Sequence, residues 1–233
     1  MSFGKVYLIP SFLYDEAVET IPVYIIDAVK DCQVFFVENE RSARRYLKKI
    51  WKVMVIDDYQ WFTIHKAEAE VQQQFTSILK QGKNIGIISE AGCPGIADPG
   101  QLLVEAAQKS NAVIKPLVGP SSILLALMAS GMNGQCFQFN GYLPIDNSAR
   151  RKSIKDLEAD SFKRKCTQIF IETPYRNNQM LSDLIQSCKE ETRICVAVDI
   201  TSPQESIKTK TVKQWKKEIP DIHKKLVIFL LQA

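Results

Sequence analysis

The chain has 233 residues, of which 45% are hydrophobic, and its formal net charge is +4. No apolar run reaches the roughly 18 residues that a membrane-spanning helix needs, and the first ten residues do not form a secretory signal. This composition predicts a globular cytoplasmic protein without a membrane segment, and the charge is far below that of a strongly basic nucleic-acid-binding domain.

Apolar runs alternate with amphipathic segments from residue 1 to residue 117. The apolar runs predict four strands: Val6–Ile9, Val34–Glu38, Ile85–Ser89 and Val113–Leu117. The segments with helical spacing predict four helices: Ile21–Asp31, Ser42–Ile50, Lys66–Gln81 and Gln101–Lys109. Because alternating strands and helices are typical of a mainly parallel, doubly wound sheet, we predict an N-terminal α/β domain over residues 1–117.

The segment from Pro116 to Ser122 predicts a junction between two domains, since two prolines and a glycine end the preceding strand. Ser121 or Ser122 is expected to cap an apolar helix that Gly131 ends. Beyond the junction, strands are predicted at Cys136–Phe139, Thr167–Glu172, Ile194–Asp199 and Leu226–Leu231. Helices are predicted at Ile123–Ser130, Ser148–Glu158, Asn177–Ser187 and Val212–Pro220. These elements predict a second α/β domain over residues 118–233, with a small-molecule cleft between the two domains.

The turn from Ser89 to Gly100 contains three glycines and two prolines and joins a predicted strand to a predicted helix. Glycine lets a backbone approach a ligand closely, and ligands of open α/β sheets bind outside the carboxyl ends of the strands. The turn therefore predicts a small-molecule site, in which Glu90 or Asp98 accepts hydrogen bonds from a ribose or an amine. The alternative is a purely structural turn, in which Asp98 caps the next helix and Pro99 occupies its first position.

Several common catalytic patterns are missing from the sequence. The six cysteines are widely spaced and there are two histidines, so no zinc pattern occurs and we expect reduced, structural thiols. A G-x-G-x-x-G motif after the first strand, a P-loop and a G-x-S-x-G turn are also absent. Methyl transfer from a sulfonium donor fits better, because its leaving group is already activated and the protein mainly aligns the reacting atoms.

Basic residues form three clusters, each of which is either a solvated face or a contact for a polyanionic partner. The first cluster consists of Arg41, Arg44, Arg45, Lys48, Lys49 and Lys52. The second consists of Arg150, Arg151, Lys152, Lys155, Lys163, Arg164 and Lys165. The third consists of Lys208, Lys210, Lys213, Lys216, Lys217, Lys224 and Lys225.

Five segments resemble motifs that one family carries in the same order. They are Glu38–Arg41 (family pattern E-D-T-R), Ser89–Gly100 (S-D-A-G-T-P, then D-P-G), Gly119–Ser122 (P-G-P-[SC]-[AS]), Phe139–Pro144 followed by Arg150 and Arg151 (F-x-G-F-L-P, then a basic pair), and Glu172–Arg176 (E-[SA]-P-[HY]-R). In this order the chain resembles the tetrapyrrole-methylase superfamily of S-adenosylmethionine-dependent methyltransferases. It is most similar to the bacterial branch that methylates a cytidine 2′-hydroxyl of 16S ribosomal RNA, as a shorter, diverged relative.

The resemblance implies two α/β domains of the tetrapyrrole-methylase type, S-adenosylmethionine as methyl donor in the cleft, no metal, and a homodimer. The implied donor contacts are Pro10, Glu90, Ala91, Gly92, Pro94, Ile96, Ser121, Ser122, Glu172, Thr173 and Pro174. The acceptor would be ribosomal RNA or the small ribosomal subunit, held by Arg41, Arg150, Arg151 and Arg176. A ribose hydroxyl needs a base or a strong orienting contact, for which Glu38 and Asp15 are the acidic candidates.

The chain departs from the family pattern at several positions. The family's T-P-I-G-N-L after the first strand, which faces the acceptor, is replaced by the segment Pro10–Asp15. Glu90 and Asn39 each stand where the family has Asp, and His223 to Lys225 replace K-G-E. Two other functions therefore stay open: methylation of a small molecule such as a tetrapyrrole, and donor binding without catalysis.

Overall fold

The computed structural model describes residues 3–64 and 68–233, and the chain divides after residue 121 into two compact units. Unit 1 comprises the described residues up to Ser121, and unit 2 begins at Ser122. Each unit contains one five-stranded sheet covered by helices. In this part of the chain, no helix has the length and apolar character of a membrane-spanning segment.

The sheet of unit 1 is wholly parallel, with strand order β3-β2-β4-β1-β5. Its strands are β1 (Val6–Ile9), β2 (Val34–Val37), β3 (Gln60–Thr63), β4 (Ile85–Ile88) and β5 (Ile114–Pro116). Its helices are α1 (Ile25–Asp31), α2 (Glu40–Ile50), α3 (Glu68–Lys80) and α4 (Gln101–Lys109). The predicted parallel arrangement is therefore confirmed for this half. Lys66, at the predicted start of the third helix, lies outside the described residues.

Helices cover both faces of this sheet. The side chains of β2 show how the sequence provides an apolar surface on each face. Alternate side chains of a strand point to opposite faces. Phe35 and Val37 belong to an apolar cluster with α1 and α2, whereas Val34 and Phe36 belong to a cluster with α3 and α4. All four side chains are fully buried, which explains why the strand is a continuous apolar run rather than an alternating one.

Strand β3 is an edge strand that the sequence analysis did not predict. It pairs with β2 only, and its residues are exposed or half-buried. Two of its aromatic rings stack on the core: Trp61 on Phe35 at 4.9 Å and Phe62 on Phe36 at 5.0 Å. Aromatic stacking against β2 thus stabilises a strand that has no apolar run of its own.

The sheet of unit 2 is mixed, with strand order β6-β7-β10-β8-β9. Its strands are β6 (Phe137–Tyr142), β7 (Thr167–Ile171), β8 (Arg193–Val198), β9 (Ser206–Thr211) and β10 (Val227–Gln232). Its helices are α5 (Ser122–Ser130), α6 (Asn147–Arg164), α7 (Asn177–Ser187) and α8 (Val212–Trp215). The pair β6–β7 is parallel, and the other three pairs are antiparallel.

Local signals decide where several helices of unit 2 end. Gly131 has a φ of 66° and follows α5, as expected for a helix stop. The helix α6 runs past its predicted end at Glu158 and stops where Lys165 takes the left-handed conformation. The predicted last helix is shortened to the single turn α8. A capping box between Thr211 and Gln214 marks its start.

All six cysteines are free, as expected. Cys32, Cys166, Cys188 and Cys195 are buried, where a thiol packs as a small apolar group. Burial also raises the pKa of these thiols, so they are protonated and unreactive at neutral pH.

Candidate functional site

Three loops of unit 1 meet at the carboxyl ends of the adjacent strands β2, β4 and β1. The loop after β4 pairs with the loop after β1, because Ser11 N donates to Gly92 O at 2.8 Å and Gly92 N donates to Ser11 O at 3.1 Å. The Ser11 hydroxyl donates to Ser89 O at 2.6 Å. The structure therefore brings together Pro10 and the Glu90–Gly92 turn, which the sequence separates by some 80 residues.

The glycines of this edge are required by the backbone itself. Gly92 has a φ of 71°, and a Cβ there would lie 3.3 Å from Leu13 Cδ2. At Gly119 a Cβ would lie 2.2 Å from Pro10 Cβ, so the junction segment packs directly on the loop after β1. A larger residue at position 92 would thus strain the fold whether or not a ligand binds there, and Gly92 cannot by itself test for a ligand.

Three carboxyl groups gather at this edge of the sheet. Glu38 Oε2 accepts a hydrogen bond from Glu90 N at 3.0 Å, and Glu90 Oε1 accepts one from the Ser42 hydroxyl at 3.3 Å. Asp98 lies close enough to be influenced by both glutamates. Within the described part of the chain, no three such groups are placed to share a metal ion.

Asp98 is the carboxyl group of this cluster with the strongest perturbation. Burial raises its pKa to about 6, and the negative charges of Glu38 and Glu90 add to the shift, against a hydrogen bond from Ser89. Asp98 also lines a small cavity of about 170 Å³ beside α4, which is too small for a nucleoside. Displaced pKa values are common at catalytic sites, so Asp98 joins the candidate residues.

The alternative role for Asp98, as cap of the next helix, is wrong. Helix α4 begins at Gln101, and its N-cap is Gly100, which has a φ of 117° and leaves the cap without a side-chain hydrogen bond. Asp98 was predicted as a possible hydrogen-bond acceptor, but its raised pKa arises from burial and tertiary contacts that the local sequence does not reveal.

Asn39 replaces a family aspartate without losing the local structure. Its side chain caps α2, accepting from Arg41 N at 3.0 Å and from Ser42 N at 3.2 Å. Asn and Asp cap helices about equally well, so the substitution removes a charge and keeps the cap. Arg41, on the first turn of α2, is exposed beside the carboxyl cluster.

Asp15 does not join the carboxyl cluster. Its carboxylate pairs with Arg45 at 3.2 Å and with Lys49 at 3.9 Å, both on α2. The loop that carries it is held by Tyr46, whose hydroxyl donates to Pro10 O at 2.5 Å. Asp15 thus faces α2, and the acidic groups at the carboxyl edge are Glu38, Glu90 and Asp98.

In unit 2, the turn after β7 carries the other predicted donor contacts. Glu172 is buried, and its Oε1 accepts from Thr173 N at 2.6 Å and from Arg176 Nη2 at 2.5 Å. Its Oε2 is buried and has no hydrogen-bond partner among the described residues. Arg176 is thus committed to Glu172, and Glu172 keeps one unused acceptor atom.

The two arginines of the basic pair on α6 share one buried carboxylate in unit 2. Arg150 is 2% exposed, and its Nε donates to the buried Asp183 at 2.8 Å. Arg151 Nε contacts the same carboxylate at 2.9 Å while its side chain is 46% exposed. Burial opposes ionisation of Asp183, but hydrogen bonds from both arginines lower its pKa. The structure argues against Arg150 as a phosphate contact, because its guanidinium is buried and already paired.

The remaining predicted donor contacts take varied positions. Pro94 is buried in the loop after β4, whereas Ala91 and Ile96 are exposed. Ser121 and Ser122 are half-buried at the boundary of the two units, and Ser122 begins α5. Cys93, next to Pro94 in the loop after β4, packs with its sulfur 3.5 Å from Pro120 O.

A family profile described as Tetrapyrrole (Corrin/Porphyrin) Methylases matches residues 17–216 of the chain. The chain belongs to this family. The assignment confirms the predicted family and the prediction that the chain is an S-adenosylmethionine-dependent methyltransferase.

Curated relatives of this tetrapyrrole-methylase family member have ribosomal names. Ribosomal RNA small subunit methyltransferase I of Buchnera aphidicola subsp. Schizaphis graminum is 28% identical over 234 residues, covering 98% of this chain and 78% of that protein. The protein of the same name from Vibrio cholerae serotype O1 is 33% identical over 185 residues, covering 78% of this chain and 60% of that protein. The matched region is thus less than two thirds of the Vibrio relative.

Solved structures of family methyltransferases share the fold. The methyltransferase CobJ matches with a TM-score of 0.65 and 14% identity, over 100% of this chain and 95% of that chain. A uroporphyrin-III C-methyltransferase from Thermus thermophilus, complexed with S-adenosylhomocysteine, matches with a TM-score of 0.58 and 11% identity, over 99% and 98%. These matches confirm the predicted α/β fold class.

Proposed function

We propose that this methyltransferase transfers the methyl group of S-adenosylmethionine to a ribose 2′-hydroxyl of small-subunit ribosomal RNA. The names of the curated relatives support the substrate class. The structural observation that carries the proposal is the carboxyl edge of unit 1, where Asp98 has a pKa of about 6 and Arg41 is exposed nearby. A base can activate a ribose hydroxyl, and an arginine can hold the phosphate of an RNA strand.

Asp98 suits the role of base better than an ordinary carboxylate. A ribose hydroxyl is a very weak acid, and catalysis is most efficient when the pKa of the base lies near the working pH. With a pKa of about 6, Asp98 is mostly ionised at neutral pH and holds a proton more tightly than an unperturbed aspartate. Glu38 is the second candidate, although its Oε2 already accepts from Glu90 N.

The donor contacts remain those implied by the family motifs, and Glu172 gives them physical support. A buried carboxylate oxygen without a partner is costly, so a hydrogen-bond donor from a ligand would stabilise Glu172 Oε2. The bound donor would supply an activated methyl group on its sulfonium. The proposed contacts in unit 1 are Pro10, Glu90, Ala91, Gly92, Pro94, Ile96 and Ser121, and those in unit 2 are Ser122, Glu172, Thr173 and Pro174.

Glu172→Gln tests this assignment of the donor site. The amide keeps an oxygen but loses the charge, so the affinity for S-adenosylmethionine should fall by about tenfold or more, as for a lost hydrogen bond to a charged group. Calorimetry measures the affinity. The matched control is Glu158→Gln, a buried glutamate of the same unit whose Oε1 accepts from Lys189 N at 2.7 Å. Equal donor affinity in wild type and a folded Glu172→Gln variant would remove Glu172 from the donor site.

The proposed reaction has a direct test. The protein is incubated with labelled S-adenosylmethionine and small ribosomal subunits from a strain that lacks the gene, and label is sought in the RNA. Label in a ribose supports the proposal, whereas label in a base would correct the acceptor atom. Labelling of a tetrapyrrole but not of RNA would establish the small-molecule alternative, and donor binding with no transfer to either would favour the non-catalytic one.

We also propose a cytoplasmic homodimer, as the family resemblance implies. Helix α5 supports it, because the helix is apolar on all sides but exposes Leu124 by 50% and Met128 by 79%. An apolar helix of this kind is normally covered by protein. A small-subunit RNA substrate would place the activity in the cytoplasm.

A further inference from the structure

The outward face of α2 carries a row of cations. Arg41, Arg45 and Lys48 are exposed and are spaced four and three residues apart, and the exposed Lys52 follows four residues later. The first three lie on α2 at spacings that place them on one side of the helix, and Lys52 lies two residues beyond its last residue, Ile50. The other side of α2 is apolar and packs into the core through its buried residues Ala43, Tyr46 and Leu47.

The two remaining cations of this helix are directed elsewhere. Arg44 is paired with Glu40 at 2.5 Å and lies over the ring of Trp61 at 5.1 Å. Lys49 is paired with Glu16 at 3.1 Å. Both are therefore held along the flanks of α2, and the row itself consists of the other four cations.

Most of the charge in the row is uncompensated. Among residues 3–64 and 68–233, neither Arg41 nor Lys52 has an ion-pair partner. Lys48 contacts neutral carbonyl oxygens, those of Lys52 at 2.7 Å and Met54 at 2.9 Å. Arg45 pairs with Asp15 at 3.2 Å, but both side chains are more than half exposed, so this pair is weak and easily exchanged.

The row starts at the candidate site. Helix α2 follows directly on Glu38, and Ser42 of its first turn contacts Glu90. At 1.5 Å per residue, the part of the row on α2 extends about 10 Å from Arg41 to Lys48, and Lys52 lies beyond the end of the helix. A single small anion cannot contact a row of this length, whereas a polyanionic strand with regularly spaced phosphates can.

We propose that the row Arg41–Arg45–Lys48–Lys52 binds the phosphodiester backbone of an RNA strand whose acceptor ribose lies at the carboxyl edge of unit 1. The inference rests on the proposed RNA substrate and deepens it by naming the contact surface. Arginine and lysine on a helix face neutralise phosphates without reading bases, which fixes the register of the strand on the protein. The base would then be selected at the site itself.

The test compares charge removal on opposite faces of unit 1. Arg45→Gln with Lys52→Gln removes two cations from the row and leaves Lys48, which caps the end of α2, in place. The matched control, Lys80→Gln with Lys109→Gln, removes two cations from α3 and α4, on the other face of the sheet. Binding of a single-stranded oligouridylate is measured as a function of salt, and donor affinity is measured by calorimetry.

Each lost phosphate contact should flatten the plot of log affinity against log salt by about 0.7 for single-stranded RNA. The row variant should therefore have a slope shallower by about 1.4, and adding Lys48→Gln should bring the change to about 2. The control pair should keep the wild-type slope, and both double variants should keep the wild-type donor affinity. Arg45→Lys keeps the charge and should keep the slope.

Three outcomes would overturn the proposal in distinguishable ways. If the wild type binds and methylates RNA but the row variant keeps its slope, the row is not the phosphate contact and the proposed function stands. If the variant binds oligouridylate normally but no longer binds small ribosomal subunits, the row contacts an acidic protein surface instead. If the wild type itself binds neither oligouridylate nor subunits at low salt, the RNA substrate and the row fail together.

Discussion

Asp98 has three features that a general base needs: partial burial, neighbouring negative charges and a position at the carboxyl edge of unit 1. Its pKa of about 6 predicts that the methyl-transfer rate of the wild type rises tenfold per pH unit below about pH 6 and levels off above it, because only the ionised form accepts a proton. Asp98→Asn should lower the single-turnover rate by roughly 10²- to 10⁴-fold and abolish this pH dependence. The exposed Asp57→Asn is the control and should keep both rate and profile. A wild-type profile in Asp98→Asn would transfer the role to Glu38.

The same substitution should stabilise the protein. The pKa of Asp98 is about 6 in the folded chain against 3.8 for the unperturbed group, so the folded state holds its proton more tightly. The stability that protonation contributes is present below about pH 4 and is lost as the pH rises through about 6. Asp98→Asn, which stays neutral, should therefore melt at a higher temperature than wild type at pH 7 and at nearly the same temperature near pH 4. A lower melting temperature at pH 7 would contradict the raised pKa of this half-buried carboxyl group.

At the scale of elements, the Arg150–Asp183 pair ties α6 to α7 in unit 2. Asp183 is fully buried and Arg150 is 2% exposed, so removing the carboxylate leaves a buried cation without a partner. Asp183→Ala should destabilise the protein by about 3–5 kcal/mol, whereas Arg151→Ala, which removes a half-exposed partner, should cost less than about 1 kcal/mol. Urea unfolding measures both. Similar losses of unfolding free energy in the two variants would mean that the buried Arg150–Asp183 pair does not stabilise the contact between α6 and α7.

The elements that the sequence predicts well are those with a continuous buried face. The bounds of β1, α4 and α7 agree with the prediction to the residue, because apolar runs or helical periodicity coincide with burial. The two missed strands, β3 and β9, are both edge strands. Their sequences, QWFT and SIKTKT, are only partly buried. Edge strands carry polar and lysine residues, which interrupt the hydrophobic pattern from which strands are predicted.

Part of the candidate site can be predicted from sequence motifs, and the rest depends on tertiary contacts. The sequence pattern places Glu38 and Glu90 at the ends of two strands, but only the structure shows that these strands are neighbours and that Glu90 N donates to the Glu38 carboxylate. The same motifs paired Arg150 with Arg151, but could not show that a carboxylate from α7 holds the first of them inside the core. Likewise, the raised pKa of Asp98 depends mainly on burial and then on the charge of Glu38 from another segment, which no local pattern encodes.

At the scale of the whole molecule, the two halves have similar local patterns and different sheets. Both alternate strands with helices, yet the sheet of unit 1 is wholly parallel and that of unit 2 is mainly antiparallel. Alternation specifies which segments are strands, but the order and direction of the strands follow from long-range packing. In unit 2 the strand β9, which was not predicted, pairs antiparallel with β8. Without β9, the strand order of this sheet could not be predicted.

The proposed homodimer is a property of the whole molecule that one helix makes testable. Leu124 and Met128 are four residues apart on α5 and share its exposed side, while Ile123 and Leu127 are buried. If a second copy covers this side, light scattering should give about twice 26.4 kDa, and Leu124→Glu with Met128→Glu should give a folded monomer, because two buried carboxylates would oppose association. The control places glutamates at two other exposed apolar positions, Val53→Glu with Val55→Glu in unit 1, and should remain dimeric. A wild type that is monomeric at micromolar concentration, or a dimer that survives both charges on α5, would show that this side of the helix is not the contact between copies.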